Sequence, residues 1–246
     1  MKNVAKSRNW TTKKIHVPKH VDLRKRRTAW HGHIPFAYDL VKGLKPRTLV
    51  ELGTHYGGSY FTFCDSVKIN NLSTECYAID TWVGEEHAGF YDNSVFEFVN
   101  QYNSSYESFS SLIRSTFDAS APLFPDNSID LVHIDGFHSY EAVLNDYKTW
   151  KPKLSAEGIM LFHDVCAIKP GFGVHEFWAE LQEQYKSQCF HFEHSYGLGV
   201  FSLSREEDIR ERLAKILAKD ASKIKSFYET QAKWLKFVLK VKKIWG

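Results

Sequence analysis

The sequence predicts an α/β fold in which a doubly wound sheet of about seven strands, mostly parallel with an antiparallel edge, carries helices on both faces. Short apolar runs alternate with segments of helical periodicity along most of the chain. The first run is followed by a glycine-bearing turn, and several runs end in an acidic residue or a histidine. Because strand–helix–strand units connect through right-handed crossovers, this alternation favours a parallel sheet. Extra helices are expected at the C-terminal end.

The first strand and the turn after it form the element where ligand binding is expected. Residues 47–52 are a compact apolar run after Pro46, which is typical of a short buried parallel strand. The turn contains three glycines, Gly53, Gly57 and Gly58. Glycine lets the backbone adopt positive φ and approach a ligand closely. The helix predicted from Tyr60 onward points its first N–H groups at that ligand. The element is a Rossmann-like nucleotide-binding unit.

The spacing within this turn separates the candidate cofactors. A dinucleotide fingerprint has the pattern Gly-x-Gly-x-x-Gly and holds a pyrophosphate on the helix N-terminus. Glu51 stands where that pattern has its first glycine. Its carboxylate repels phosphate but suits a ligand with an ammonium or sulfonium group, which disfavours a nicotinamide-dependent dehydrogenase. The alternative is a glycine-rich turn that binds no ligand.

The remaining elements are predicted from apolar periodicity and from turn residues. We expect helices at 34–44, 95–106, 140–154 and 173–186, and strands at 75–80, 111–115, 131–134, 158–162, 189–192 and 199–203. Residues 85–91 lack a core-facing pattern and predict a flexible lid or a substrate-facing loop. The C-terminal stretch is helical with a break near Asp220, and its apolar positions predict docking on the domain or on a partner.

Composition bounds the class of protein. The 246 residues are 43% hydrophobic and 25% charged, as in a globular protein with one α/β domain. The net charge of +3 indicates no nucleic-acid partner. No signal peptide, no stretch of membrane-spanning length and no Cys-x-x-Cys spacing are visible, and we expect a cytoplasmic protein. We divide the chain into a basic arm at 1–30, a central domain at 31–204 and a helical extension at 205–246.

Polar side chains end four of the predicted strands: Glu51, Asp80, Asp135 and the pair His163-Asp164. In an open parallel sheet, ligands bind beyond the carboxyl ends of the strands. An acidic residue at the end of the second strand typically accepts hydrogen bonds from ribose hydroxyls, and Asp80 fits that role. Trp82 lies two residues later and is a candidate to pack on an adenine ring. The alternative interpretation is that these acids are solvated loop residues that bind no ligand.

The last two strand ends are candidates for the reacting centre. Asp135, His163 and Asp164 offer two carboxylates and an imidazole, a set that suits Mg²⁺, which would polarise a substrate hydroxyl. His138 follows Asp135 closely and is a candidate general base, because its pKa lies near working pH. Alternatively, His163 is a histidine that is hydrogen-bonded within the wall of the pocket and binds no ligand. For His133, inside the strand, core packing is expected.

Two groups of motifs resemble a known family. The pattern Glu-x-Gly-x-x-x-Gly-x-Ser that starts at Glu51 resembles motif I of the class I S-adenosylmethionine (SAM) methyltransferases. His133-Ile-Asp-Gly-x-His-Ser-Tyr-Glu-Ala-Val, Asp146-x-x-x-Trp and Phe162-His-Asp are similar to its macrocin O-methyltransferase and cephalosporin-hydroxylase-like branch. Bacterial members of that branch often accompany glycosyltransferases of surface-polysaccharide synthesis. The resemblance covers roughly 47–203, and both termini lie outside it.

The resemblance implies SAM as cofactor and assigns residues to it. The cofactor-binding set would be Glu51, Gly53, Thr54, Gly57, Ser59, Asp80, Trp82 and Asp135. Asp135, His138 and His163 would be catalytic, and Asp135 and Asp164 stand where metal-dependent members carry ligands. The sequence departs from those members at two places. His163-Asp164 stands where they tend to have an acidic pair, and Phe137 stands where they often have an acid. This departure leaves two mechanisms open, one with Mg²⁺ and one without metal, in which His138 or His163 is the base.

The expected activity is therefore SAM-dependent O-methylation of a hydroxyl on a sugar or glycoconjugate, in a surface polysaccharide or a natural product. Catalysis would rest mainly on positioning and deprotonation. Two alternatives remain open at this stage: an Fe(II)-dependent hydroxylase and a SAM-binding module without turnover. The acceptor is a small molecule or a glycan. The basic C-terminal helix is a candidate contact surface for a second copy of the chain, a glycosyltransferase or a membrane.

Overall fold

The computed structural model describes residues 29–86 and 89–245, so the predicted arm at 1–30 lies almost wholly outside the described residues. The strands are β1 (Thr48–Leu52), β2 (Glu75–Asp80), β3 (Gly84–Glu85), β4 (Gly89–Phe90), β5 (Ser110–Arg114), β6 (Ile129–Ile134), β7 (Leu154–His163), β8 (Cys189–Phe192) and β9 (Leu198–Ser202). The helices are α1 (Ile34–Leu44), α2 (Tyr60–Ile69), α3 (Ser94–Asn103), α4 (Phe117–Ser120), α5 (Tyr140–Trp150), α6 (Val174–Gln184), α7 (Ile209–Leu217) and α8 (Ile224–Trp245).

Seven strands form one sheet in the order β5-β2-β1-β6-β7-β9-β8. Neighbouring strands from β5 to β7 pair in parallel, whereas β9 pairs antiparallel with both β7 and β8. The prediction of a mostly parallel sheet of about seven strands with an antiparallel edge is confirmed. The strand order reverses between β1 and β6, and in such sheets the crevice at this switch point is where ligands bind.

The sheet separates two hydrophobic cores, because successive side chains of a strand point to opposite faces. On β1, Val50 and Leu52 belong to the core under α5 and α6, whereas Leu49 belongs to the core under α1, α2, α7 and α8. Glu51 shares the face of Leu49 and is wholly buried. The register places Glu51 directly beside His133 of β6, so two polar side chains lie together inside an otherwise apolar layer.

Most predicted elements are present with small shifts of their ends. The helix at 34–44 is confirmed to the residue, whereas β7 begins at Leu154, four residues before the predicted start at residue 158. In the 85–91 segment, which was expected to be a loop, β3 and β4 form a two-stranded antiparallel ribbon. Each strand of the ribbon contains a glycine with positive φ, Gly84 at 80° and Gly89 at 83°, which glycine adopts without strain.

The C-terminal helices pack on the main domain. Ile209 and Leu213 of α7 and Ile224 of α8 are buried in the same core as α1 and α2. The break between the helices is a 3-10 turn at Ala221–Lys223, and Asp220 caps it by accepting a hydrogen bond from the Ser222 N–H. The Tyr228 hydroxyl donates to Asp39 Oδ2 at 2.8 Å, which joins α8 to α1. Among the described residues, we find no helix long and apolar enough to cross a membrane.

The docking of α8 gives a test of the fold. Leu235 is wholly buried against the domain, so Leu235→Ala should lower the free energy of unfolding by about 3 kcal/mol through lost apolar contacts and a residual cavity. The neighbouring Trp234 is 46% exposed, and Trp234→Ala should change stability by less than about 0.5 kcal/mol. Urea denaturation of both variants measures the difference. Equal effects of the two substitutions would contradict the docking of this helix.

Candidate functional site

The glycine turn after β1 runs along the end of β6. Gly53 has a φ of 89°, and a Cβ there would collide with the main-chain carbonyl of Asp135. Gly57 has a φ of 79°, and a Cβ there would collide with the ring of Phe61. A Cβ on Gly58, by contrast, would meet no atom within 4 Å, so the space above the start of α2 is open. The turn therefore combines a fixed backbone with room for a ligand.

Asp80 ties this turn to the end of β2. Its Oδ2 accepts hydrogen bonds from the N–H groups of Thr54 at 2.9 Å and His55 at 2.8 Å. Its Oδ1 accepts from the N–H of Trp82 at 2.7 Å. A carboxylate has about four lone-pair sites, so Asp80 retains capacity for a further donor such as a ribose hydroxyl. The predicted ribose role of Asp80 stays a prediction, and its present role is to set the shape of the turn.

Trp82 does not lie where an adenine contact needs it. The side chain is wholly buried, its ring packs against Phe96 with centroids 5.0 Å apart, and its indole N–H donates to the His55 carbonyl at 3.0 Å. In this conformation the ring presents no free face to a ligand, which corrects the expectation from its place after β2. The sequence signal misled because an aromatic residue beside a strand end packs inward as readily as outward.

Glu51 is part of a buried polar network. Ser59, which precedes α2, donates its hydroxyl to Glu51 Oε1, and His133 Nδ1 lies 3.5 Å from the same oxygen. The other oxygen, Oε2, is buried without a hydrogen-bond partner, and so is the hydroxyl of Thr54. Burial raises the pKa of Glu51, and the contacts with His133 and Ser59 oppose that rise. The predicted cofactor residues of the turn thus include two buried polar atoms that lack a partner.

The ends of β6 and β7 bring together the residues predicted for the reacting centre. His138 Nε2 lies 2.9 Å from Asp164 Oδ2 and 3.8 Å from Asp135 Oδ1. Ligand atoms of Asp135, His138 and Asp164 all lie within 4.8 Å of one another, so these three could hold a metal ion. Asp164 adopts a φ of 60°, a left-handed conformation that turns the chain at the strand end. Two carboxylates and one imidazole form the centre.

His163 occupies a position different from the predicted ones of metal ligand and base. Its Nδ1 lies 3.3 Å from Asp135 Oδ1 and 3.2 Å from Asp164 Oδ2. Burial disfavours the charged ring, but the two carboxylates outweigh burial and raise the pKa of His163 to about 10. At neutral pH the ring is an imidazolium with no lone pair to offer a metal or a proton. We therefore interpret His163 as the counter-ion of the two acids, and His138 takes its place in the metal-ligating group.

His138 has neighbours on both sides of the crevice. Its ring stacks on Phe172, with centroids 4.4 Å apart and an interplanar angle of 16°. Burial lowers the pKa of His138, but Asp164, Asp135 and Glu85 raise it by more, so the pKa lies above its ordinary value. Glu85 belongs to β3, so a charge of the ribbon acts on His138. The role of 85–91 as a lid or substrate-facing loop stays a prediction.

A group of aromatic side chains, from the segment before β1 and the loop before β9, lies beside the buried histidines of the sheet and was not identified from the sequence. The ring of His33 lies 5.6 Å from that of His163 and 4.6 Å from that of His194. His33 Nε2 faces the Ser195 carbonyl at 3.4 Å, and Trp30 reaches His133. The dense run Trp30-His-Gly-His was a signal that could have identified them. It precedes the first strand, and its approach to the crevice is visible only in three dimensions.

The charge of His163 makes stability depend on pH. Because its pKa in the folded protein, about 10, is above the ordinary 6.5, the protonated ring stabilises the fold fully below pH 6.5. That contribution is lost as pH rises through 10. The unfolding free energy of the wild type should therefore fall toward that of His163→Gln over this window, in urea titrations with a chelator. His175→Gln, on the partly exposed side of α6, is the control. A difference from His163→Gln that is constant with pH would contradict the ion pairs.

Comparison with known proteins identifies the domain. Residues 50–165 match the model of a family described as a methyltransferase domain. An uncharacterized protein, y4gI, of Sinorhizobium fredii is 46% identical over 189 residues, which are 77% of this chain. The match spans only 20% of that relative's length. The name of that relative assigns it no activity.

Solved structures show the same fold at low sequence identity. A candidate caffeoyl-CoA O-methyltransferase of Staphylococcus aureus has a TM-score of 0.55 and 13% identity, over 69% of this chain and 81% of that one. The O-methyltransferase TomG of Streptomyces achromogenes, solved with SAM, has a TM-score of 0.53 and 14% identity, over 78% of this chain and 92% of that one. Residues 50–165 are thus similar to a methyltransferase domain, and the chain has the fold of the class I SAM-dependent O-methyltransferases.

Proposed function

We propose that this protein is a SAM-dependent O-methyltransferase that transfers a methyl group to a hydroxyl of a sugar or glycoconjugate. One observation carries the proposal. The glycine turn, Asp80 and the group of Asp135, His138 and Asp164 lie along one edge of the sheet, at the switch point between β1 and β6. A cofactor above the turn would thereby face an acceptor hydroxyl held beside His138.

The residues of the turn suit the amino-acid end of SAM. Glu51 Oε2 is buried without a partner, and an ammonium group would satisfy it. The Thr54 hydroxyl is a second buried atom without a partner, and it suits a donor or an acceptor. The open space above Gly58 lies at the start of α2, where free N–H groups attract a carboxylate. Asp80 is the candidate for the ribose hydroxyls. Bound SAM supplies the electrophilic methyl group.

The group of Asp135, His138 and Asp164 suits a divalent cation with a preference for oxygen ligands, such as Mg²⁺. Such an ion supplies Lewis acidity, which lowers the pKa of a coordinated hydroxyl. The chain's own residues do the rest. Asp135, His138 and Asp164 would hold the ion, and His163 neutralises part of the charge of the two acids, so with an ion bound His138 is a ligand and not a base. Without metal, His138 alone would act as base, at a pH above its raised pKa.

The acceptor class rests on the resemblance to the macrocin O-methyltransferase and cephalosporin-hydroxylase-like branch and on three exposed apolar side chains. Phe90 of β4, Ile168 after β7 and Tyr196 before β9 are 77%, 83% and 48% exposed. Exposed aromatic and aliphatic groups of this kind suit the apolar C–H face of a sugar ring. The metal-ligating group supports an oxygenase less well, because a facial triad for Fe(II) has two imidazoles and one carboxylate, the reverse of this set.

Calorimetric titration of S-adenosylhomocysteine tests the cofactor. The wild type should bind with micromolar affinity, and Glu51→Gln should weaken binding by at least about tenfold, because one charge-assisted contact with the ammonium is lost. Glu97→Gln on α3 is the matched control and should bind as the wild type does. If the folded wild-type protein does not bind S-adenosylhomocysteine, the methyltransferase proposal is wrong.

Methyl transfer from labelled SAM tests the acceptor and the metal. We expect the labelled methyl group to appear in one member of a panel of nucleotide sugars and oligosaccharides. We expect none in caffeoyl-CoA, which represents the competing class of acceptor. Asp164→Asn should reduce transfer by about a hundredfold, since it removes a charge from the reacting centre. Asp126→Asn, an exposed acid paired with Lys153, is the control. Loss of transfer with a chelator supports the metal, and full activity with chelator excludes it. Cofactor binding without transfer to any acceptor would favour a binding module.

A further inference from the structure

Glu51 has beside it His133, which in turn contacts Trp30, and the family resemblance assigns neither residue a role. The register of β1 and β6 sets Glu51 beside His133, and both side chains are wholly buried. Beneath His133 lies Trp30, which is 3% exposed and whose indole Nε1 is 3.1 Å from His133 Nε2. Trp30 lies outside the 50–165 range that matches the methyltransferase family. A segment before the first strand therefore reaches the carboxylate of the glycine motif through one imidazole.

The contact with Trp30 determines which nitrogen of His133 carries the proton. An indole nitrogen can only donate a hydrogen bond, so His133 Nε2 must accept and cannot be protonated. The ring proton of a neutral imidazole then lies on Nδ1, which faces Glu51 Oε1 at 3.5 Å. At this separation His133 Nδ1 makes no hydrogen bond, so the N–H acts on the carboxylate only through its partial positive charge. Trp30 thus turns an N–H, rather than a lone pair, toward the carboxylate.

The two polar neighbours of Glu51 lie against the same oxygen, and only Ser59 donates a hydrogen bond to it. Ser59 donates its hydroxyl to Oε1, the atom that His133 Nδ1 also faces. Oε2 is left buried and without a partner. A carboxylate with one oxygen contacted from two directions has a defined rotation about its side-chain bonds. The network therefore leaves Oε2 as the one oxygen of Glu51 without a hydrogen-bond partner.

We propose that Trp30 and His133 are positioning residues for the cofactor: they orient Glu51 so that Oε2 meets the ammonium group of the amino-acid end. This inference rests on the proposed function, because it takes SAM as the ligand. If Trp30 lost its N–H, His133 could adopt the tautomer with the proton on Nε2. A nitrogen lone pair would then face Glu51 Oε1, and the repulsion would turn the carboxylate away from the cofactor.

A pair of ligands separates positioning from a general loss of structure. S-adenosylhomocysteine carries the amino-acid end, whereas 5′-methylthioadenosine shares the adenosine and lacks that end. Trp30→Phe keeps an aromatic ring against Phe63, whose centroid is 5.8 Å away, and removes the donor together with part of the indole volume. It should weaken S-adenosylhomocysteine binding about tenfold and leave methylthioadenosine binding unchanged in calorimetry. Trp178→Phe is the control, because that indole is also buried but its N–H has no partner.

The outcomes are distinguishable. Failure of the wild type to bind either nucleoside would overturn the proposed function. Normal binding of both nucleosides by Trp30→Phe, or an equal loss of both, would overturn the present inference alone. Nitrogen-15 NMR of the histidine rings gives a second readout that needs no variant to fold well. In the unliganded wild type, we expect the ring of His133 to carry its proton on Nδ1. A proton on Nε2 of His133 would also overturn the inference.

Discussion

Two neighbouring acids at one edge of the sheet, half-buried Asp135 and buried Asp164, impose the main physical constraint on this structure. Parallel strands β6 and β7 end side by side, so Asp135 and Asp164 meet where a ligand crevice opens. Carboxylates this close repel each other in a partly dry site and need a compensating charge. His163 supplies that charge from between them, and His138 approaches Asp164 from the other side. The acids are thereby kept ionised, and the same negative charge makes the crevice suitable for a cation.

The elements of the fold could be predicted because their signals are local. Apolar periodicity placed α1 to the residue, and the acids that end the strands indicated which edge of the sheet carries the site. The glycine turn was predictable because positive φ and close approach to β6 require glycine at Gly53. The β3–β4 ribbon was not, since a strand of two residues has no periodicity to detect. The start of β7 was also missed, because Glu157 and Gly158 interrupt its apolar run.

The roles within the site were less predictable, because they depend on distances between distant parts of the chain. Trp82 and His163 follow strand ends as ligand-contacting residues do, yet one packs into the core and the other is enclosed by two carboxylates. The charge of His163 follows from those neighbours and not from its own place in the sequence. Core packing was expected for His133, and it is confirmed. The contact of His133 with Glu51, however, follows from the strand register.

The polar network also bears on where the functional unit begins. The match to the methyltransferase family starts at residue 50, inside β1. Trp30 and His33 lie before that point, and both contact buried histidines of the sheet, His133 and His163. A piece that began at the first strand would leave His133 Nε2 without its donor and would expose Glu51 from below. Since an unpartnered buried polar group costs roughly 1–3 kcal/mol, such a piece would lose stability and cofactor geometry together. With Glu51 assigned to the cofactor as proposed, the segment from residue 29 onward is part of the proposed cofactor site.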